Sequence, residues 1–141
     1  MKNSIHILLV EDDADDIELL KKALDDNGVN YNLIEITAGD GVLRYLKERG
    51  DTPHVIVMDL NLPKVHGREV LREIKATKRY KDVPLLVLTT SKSQEDIDYT
   101  NRYGVDGFIT KPTTIDGFND AVATIVRLAE KCLGGNLTLA L

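Results

Sequence analysis

Short apolar runs alternate with longer amphipathic stretches along this chain. The apolar runs predict strands at residues 5–10, 31–36, 54–58, 84–88 and 107–110, each bounded by turn-forming or charged residues. Between them, apolar positions recur every three or four residues and predict helices at 14–27, 39–50, 67–77, 93–103 and 115–132. Strand followed by helix, repeated five times, predicts an α/β domain with a parallel sheet covered by helices. The runs at 5–10, 54–58 and 84–88 are almost wholly apolar, as strands buried on both faces must be. Tyr31-Asn32-Leu33-Ile34-Glu35-Ile36 mixes in polar residues and suits one edge, and the short Gly107-Phe108-Ile109-Thr110 suits the other. That distribution fits strand order 2-1-3-4-5. Its topological switch point, where ligands bind, lies between the carboxyl ends of the first and third strands.

The helices carry ordinary start signals. Asp13 is placed to cap the first, with Asp15 and Asp16 in its first turn and Ile17, Leu20 and Leu24 as its buried stripe. Ser93-Gln94-Glu95-Asp96 reads as a capping box for the fourth. Val70, Leu71 and Ile74 form the inner face of the third. The last helix is apolar over a wide arc, from Phe118 to Leu133 and including Cys132. Either part of that arc faces a partner or the helix is embedded in its own core. After Gly134-Gly135 the residues 136–141 alternate in a strand-like way. They divide the chain into a domain at 1–133 and a tail at 134–141, which is either frayed or an arm that docks.

A length of 141 residues and a 43% apolar share suit one domain with one core. The net charge of −5 argues against sequence-independent nucleic-acid binding. A single Cys132 permits no internal disulfide and suits a reducing cytoplasm. No apolar run is long enough to span a bilayer, and no signal peptide is evident.

Carboxylates at strand ends then change the picture. Asp59 directly follows Val55-Ile56-Val57-Met58, and Glu11-Asp12-Asp13 follows Ile5-His6-Ile7-Leu8-Leu9-Val10. Acids in continuation of buried strands are poorly solvated and repel one another, so they must be partly protonated or hold a cation. Hard oxygen donors without a glycine-turn calcium loop suit Mg²⁺ or Mn²⁺. A solvated helix start accounts for Asp15 and Asp16 but not for Glu11 and Asp12. Lys111 ends the fifth strand and reaches the same rim, where it can pair with Asp59 or a phosphoryl oxygen. Lys111-Pro112 raises the chance of a cis bond. Thr89 and Thr90 end the fourth strand with hydroxyls. Acid, acid, hydroxyl and amine at four strand ends describe a phosphoryl-transfer site.

Glu11-Asp12, Asp59-Leu60-Asn61-Leu62-Pro63, His66-Gly67, Thr89 and Lys111-Pro112, in that order, resemble the receiver domains of two-component response regulators. The resemblance implies a flavodoxin-like (βα)₅ fold and a cytoplasmic signalling switch that is no enzyme beyond its own phosphorylation and dephosphorylation. It implies that Asp59 accepts a phosphoryl group from a sensor histidine kinase, a histidine-containing phosphotransfer protein or a small phosphodonor. Glu11, Asp12, Asp59 and the backbone carbonyl of Asn61 would hold Mg²⁺, while Thr89 and Lys111 bind phosphoryl oxygens. Thr89 and Phe108 would form the switch, although Phe108 lacks the hydroxyl of the tyrosine many members carry. Asn61 and Ser91 occupy positions that tune dephosphorylation. Thr90 is larger than the Ala or Gly often found at its position, which narrows access to Asp59, and His66 reads as an exposed loop residue. Asp59 to Lys64, Gly67 to Leu71 and Leu88 to Ser91 look like stand-alone regulators that serve bacterial phytochromes. Such regulators often dimerise, here through the fourth helix, fifth strand, fifth helix and tail.

Other readings fit less well. A phosphorelay shuttle shares every residue. A metal-dependent aspartyl phosphatase commonly needs a second Asp where Asn61 stands. A flavodoxin-like cofactor binder would place a phosphate against Glu11-Asp12-Asp13, which repel it. No nucleophile elbow supports a serine hydrolase, and no DNA-binding domain follows residue 133.

Overall fold

A computed structural model describes residues 4–48 and 52–140, with side chains through Cys132. The strands are β1 (Ile5–Val10), β2 (Tyr31–Ile36), β3 (Val55–Met58), β4 (Leu85–Thr89) and β5 (Gly107–Thr110). The helices are α1 (Ala14–Asp26), α2 (Gly39–Lys47), α3 (Gly67–Ala76), α4 (Gln94–Arg102) and α5 (Ile115–Ala140). All strand pairs are parallel, in the order β2-β1-β3-β4-β5. Fold class and order are those expected, and strand ends differ by at most one residue.

Sheet alternation divides the core into two layers. Ile5, Ile7, Leu9, Val55, Val57, Leu86 and Leu88 pack with α1 and α5. Leu8, Val10, Ile56, Met58, Leu85 and Val87 pack on the opposite face with α2 and α3. Complete burial of β3 and β4 explains their unbroken apolar runs. β2 has only part-buried and exposed positions, as an edge strand should. Phe118, Ala121, Val122, Ile125, Leu128 and Ala129 of α5 are all buried in the α1–α5 layer. The arc from Phe118 to Ala129 is thus core packing, Cys132 is exposed, and the Leu133 side chain lies outside the described residues.

Asp13 caps α1 as expected, accepting from the N–H groups of Asp15 and Asp16 at 2.9 and 3.2 Å. The expected capping box of α4 is half formed. Ser93 Oγ accepts from Asp96 N–H at 3.3 Å, but the Asp96 carboxylate accepts from Arg68 Nε at 2.7 Å and from Ser91 Oγ. A guanidinium is a stronger partner for a carboxylate than the Ser93 N–H. α5 continues through Gly134 and Gly135 to Ala140, past the end expected at 132 and in place of strand-like backbone over 136–140. Two glycines cost a helix about 2 kcal/mol, and the Leu and Ala residues around them are strong helix formers. Among the described residues no peptide bond is cis, so Lys111–Pro112 is trans, as in most X–Pro bonds.

Glycine matters most at Gly67, where a Cβ would lie 2.4 Å from Leu60 Cα and 2.5 Å from its carbonyl oxygen. Gly67 N–H donates to that same carbonyl at 3.0 Å. The start of α3 is therefore pressed against the backbone one residue beyond Asp59.

At the opposite end of the sheet, His54 Nδ1 accepts from His6 N–H at 2.9 Å, and the two rings meet edge to face with centroids 4.9 Å apart. That bond requires the Nε2-protonated neutral imidazole. Burial, with the nearby His6, pushes the His54 pKa below 6.5. The folded state therefore releases a proton that the unfolded chain binds, and the stability this contributes is complete above pH 6.5 and lost as pH falls below it. Between pH 7.5 and 5.5 the urea midpoint of the natural chain should fall relative to that of His54→Gln, a difference that cancels groups common to both, such as Glu11.

Candidate functional site

Ladder hydrogen bonds continue one residue past the strands and fix the site. Glu11 N–H donates to Ile36 O at 3.0 Å, Asp59 N–H to Val10 O at 2.9 Å, and Lys111 N–H to Thr89 O at 2.8 Å. Val10 pairs with Met58 and Thr89 with Thr110. Glu11, Asp59 and Lys111 are therefore the first residues beyond β1, β3 and β5, on the carboxyl rim where the strand order reverses.

There they form one cluster. Lys111 Nζ lies 2.8 Å from Glu11 Oε1, 2.8 Å from Asp59 Oδ2 and 2.8 Å from Asp16 Oδ2. The Lys111, Glu11 and Asp59 side chains are 8%, 5% and 3% exposed, so the cluster is nearly dry. The cation that the buried acids hold is, in this arrangement, an internal ammonium. Glu11 Oε2 also accepts from the N–H groups of Asp12 and Asp13 at 3.1 and 3.2 Å. Burial still pushes the Glu11 pKa up to about 7, against the Lys111 and Asp13 hydrogen bonds and with the charge of Asp59 adding to it. Burial alone would lower the Lys111 pKa, but hydrogen bonds to Asp16, Asp59 and Glu11 outweigh it and hold the ammonium above its ordinary range.

Asp12 completes the acidic group from an exposed position. One carboxylate oxygen each from Glu11, Asp12 and Asp59 lies within 4.8 Å of the others. Three hard donors open to water on the Asp12 side fit a small divalent cation that keeps several waters. Asn61 wraps the loop around this group, its N–H donating to Asp59 Oδ1 at 3.0 Å and its Nδ2 to Thr90 Oγ1 at 3.2 Å. Lys64 follows with φ of 72° inside a tight turn closed by Val65 N–H on Pro63 O at 2.9 Å. A lysine so placed stores about 1–3 kcal/mol of strain.

Thr89 is fully buried at the end of β4, its hydroxyl 3.4 Å from Ser91 N. Phe108 is half-buried and packs on the α2–α3 layer. Phe108 pairs with Val87, so Thr89 and Phe108 lie on one face of the sheet. His66 is exposed, as expected, yet its Nδ1 accepts from Arg68 N–H at 3.1 Å and caps α3.

Asp16 is the site residue that sequence reasoning missed. The sequence pattern places it in a solvated helix start, but it reaches Lys111 with a side chain only 23% exposed. Its spacing from the N-cap held the signal. Three residues on from Asp13, it lies on the side of the first turn that leads to buried Ile17 and Leu20.

Comparison with known proteins agrees with the geometry. Residues 7–123 match the family described as the response regulator receiver domain. The chain is 37% identical over 110 residues to response regulator Rcp1 of Synechocystis sp., covering 74% of this chain and 75% of that one. Among solved structures, the phosphorylated cyanobacterial phytochrome response regulator RcpA superposes with a TM-score of 0.79 at 35% identity, over 87% of this chain and 91% of its own. The Mn²⁺-bound form of Rcp1 gives a TM-score of 0.77 at 34% identity, over 86% and 91%.

Removing the ammonium leaves three carboxylates facing one another. In metal-free solution Lys111→Met should lower unfolding free energy by about 3 kcal/mol, the scale of a broken buried ion pair. Millimolar Mg²⁺ should return most of it, as read by urea denaturation with and without the ion.

Proposed function

Since the chain belongs to the response regulator receiver domain family, we propose that Asp59 is its phosphoryl acceptor and that phosphorylation switches its protein contacts. The observation that carries this reading is the buried Asp59 carboxylate, 2.8 Å from the Lys111 ammonium and grouped with Glu11 and Asp12. One Asp59 oxygen attacks the phosphorus of a phosphohistidine or small acyl phosphate. The new P–O bond forms as the bond to the leaving group breaks, and that group leaves with its electron pair.

Glu11, Asp12, Asp59 and the Asn61 carbonyl would hold Mg²⁺ or Mn²⁺, which supplies charge neutralisation for the incoming phosphoryl group. Lys111 and Thr89 bind the phosphoryl oxygens. Thr89 moves toward them, space opens behind β4, and Phe108 on the same sheet face turns inward. Phe108 reports through shape alone because it lacks a hydroxyl. The output is a change in the α4, β5 and α5 surface, where two copies associate. The phosphodonor is a sensor histidine kinase. The likeness to a cyanobacterial phytochrome response regulator favours a photoreceptor kinase of that class. A phosphorelay shuttle uses the same chemistry and differs only in passing the phosphoryl group on.

Acetyl phosphate with Mg²⁺ should add one phosphate by intact mass, and none in Asp59→Asn. A natural chain that gains no mass refutes the proposal. The labelled sample should also elute earlier than the unlabelled one on a sizing column. Asn61 stands beside Asp59 and can orient an attacking water, so Asn61→Ala should lengthen the phosphorylated lifetime severalfold, followed by the decay of the added mass.

A further inference from the structure

Three acceptors saturate the ammonium of Lys111, which has three N–H donors. The acceptors are not equivalent. Glu11 and Asp59 also belong to the trio whose oxygens converge within 4.8 Å, and Asp16 does not. Asp16 comes from α1 rather than from a strand end, and its side chain is 23% exposed where those of Glu11 and Asp59 are 5% and 3%. A divalent cation and Lys111 therefore compete for Glu11 and Asp59, while Asp16 serves Lys111 alone.

Resting on the phosphoryl-acceptor reading of this site, we propose that Asp16 is a positioning residue acting through Lys111. It is the acceptor the ammonium keeps when a cation draws Glu11 and Asp59 away. Were Asp16 absent, cation binding would strip a nearly buried ammonium of every carboxylate partner, a costly state. With it, the ammonium swings onto a better-solvated carboxylate and stays at the rim where phosphoryl oxygens arrive. Asp16 thus makes the exchange of an internal cation for a metal ion cheap, and it keeps Lys111 placed for its later partner.

Mg²⁺ titration calorimetry on the full chain tests this directly and needs no phosphodonor. Asp16→Asn should weaken Mg²⁺ binding about tenfold, within the coupling expected inside one charged network. Asp15→Asn removes the same charge from the exposed neighbouring position and should change affinity no more than about twofold, the part due to screened long-range attraction. Asp16→Glu should restore most of the affinity. In a Lys111→Met background, or Lys111→Gln should that variant melt below the assay temperature, Asp16→Asn should do no more than Asp15→Asn. Equal effects of Asp16→Asn and Asp15→Asn in the natural background overturn the proposal. So does a tenfold loss that persists without Lys111, because Asp16 would then act on the metal directly. No Mg²⁺ heat from the natural chain at all instead overturns the metal-assisted reading of the whole site.

Discussion

One ammonium among three carboxylates is the interaction on which this site depends. Strand ends bring Glu11 and Asp59 together in a nearly dry cleft, where like charges would drive them apart. Lys111 neutralises them at 2.8 Å contacts. The same contacts define the chemistry. On the proposed reading, a metal ion would take the acids that the internal cation now occupies, and the freed ammonium would meet a phosphoryl group. A buried ion pair is weak evidence for stability in general.

The sheet supplies the precision. Ladder hydrogen bonds extend one residue past β1, β3 and β5, so the three charged residues inherit strand geometry rather than loop freedom. Loops then close over them from rigid starts. Asn61 N–H binds Asp59, Gly67 presses α3 onto Leu60, and His66 caps that helix. Ser91, Asp96 and Arg68 tie the loop after β4 to the start of α3. Ser91 N–H in turn lies 3.4 Å from the Thr89 hydroxyl, so the end of β4, α4 and α3 share one hydrogen-bonded network.

Much of this was legible in the chain. Strand positions, sheet order and the rim residues followed from unbroken apolar runs ending in charge, because a parallel sheet leaves that imprint on sequence. Asp16 was not legible as a site residue. A carboxylate in the first turn of a helix is stabilised there anyway, so its local role concealed its reach to Lys111. His66 was read as loop for a related reason, since imidazole seldom caps helices. Asp96 fitted a capping box on local spacing, yet Arg68, distant in sequence, outcompeted the local partner. The apolar arc of α5 could not be divided between core and interface until α1 and the sheet were seen against it.

By itself the sequence determined which residues would sit at strand ends and that their charges needed a cation or partial protonation, because burial and periodicity act locally along the chain. Only the tertiary structure decided which cation answers, which fourth residue shares it, and which side chains bridge the loops. Those choices depend on distances between segments far apart in the chain, such as the 2.8 Å from Asp16 to Lys111. Such distances follow from packing, and no pattern within either segment records them.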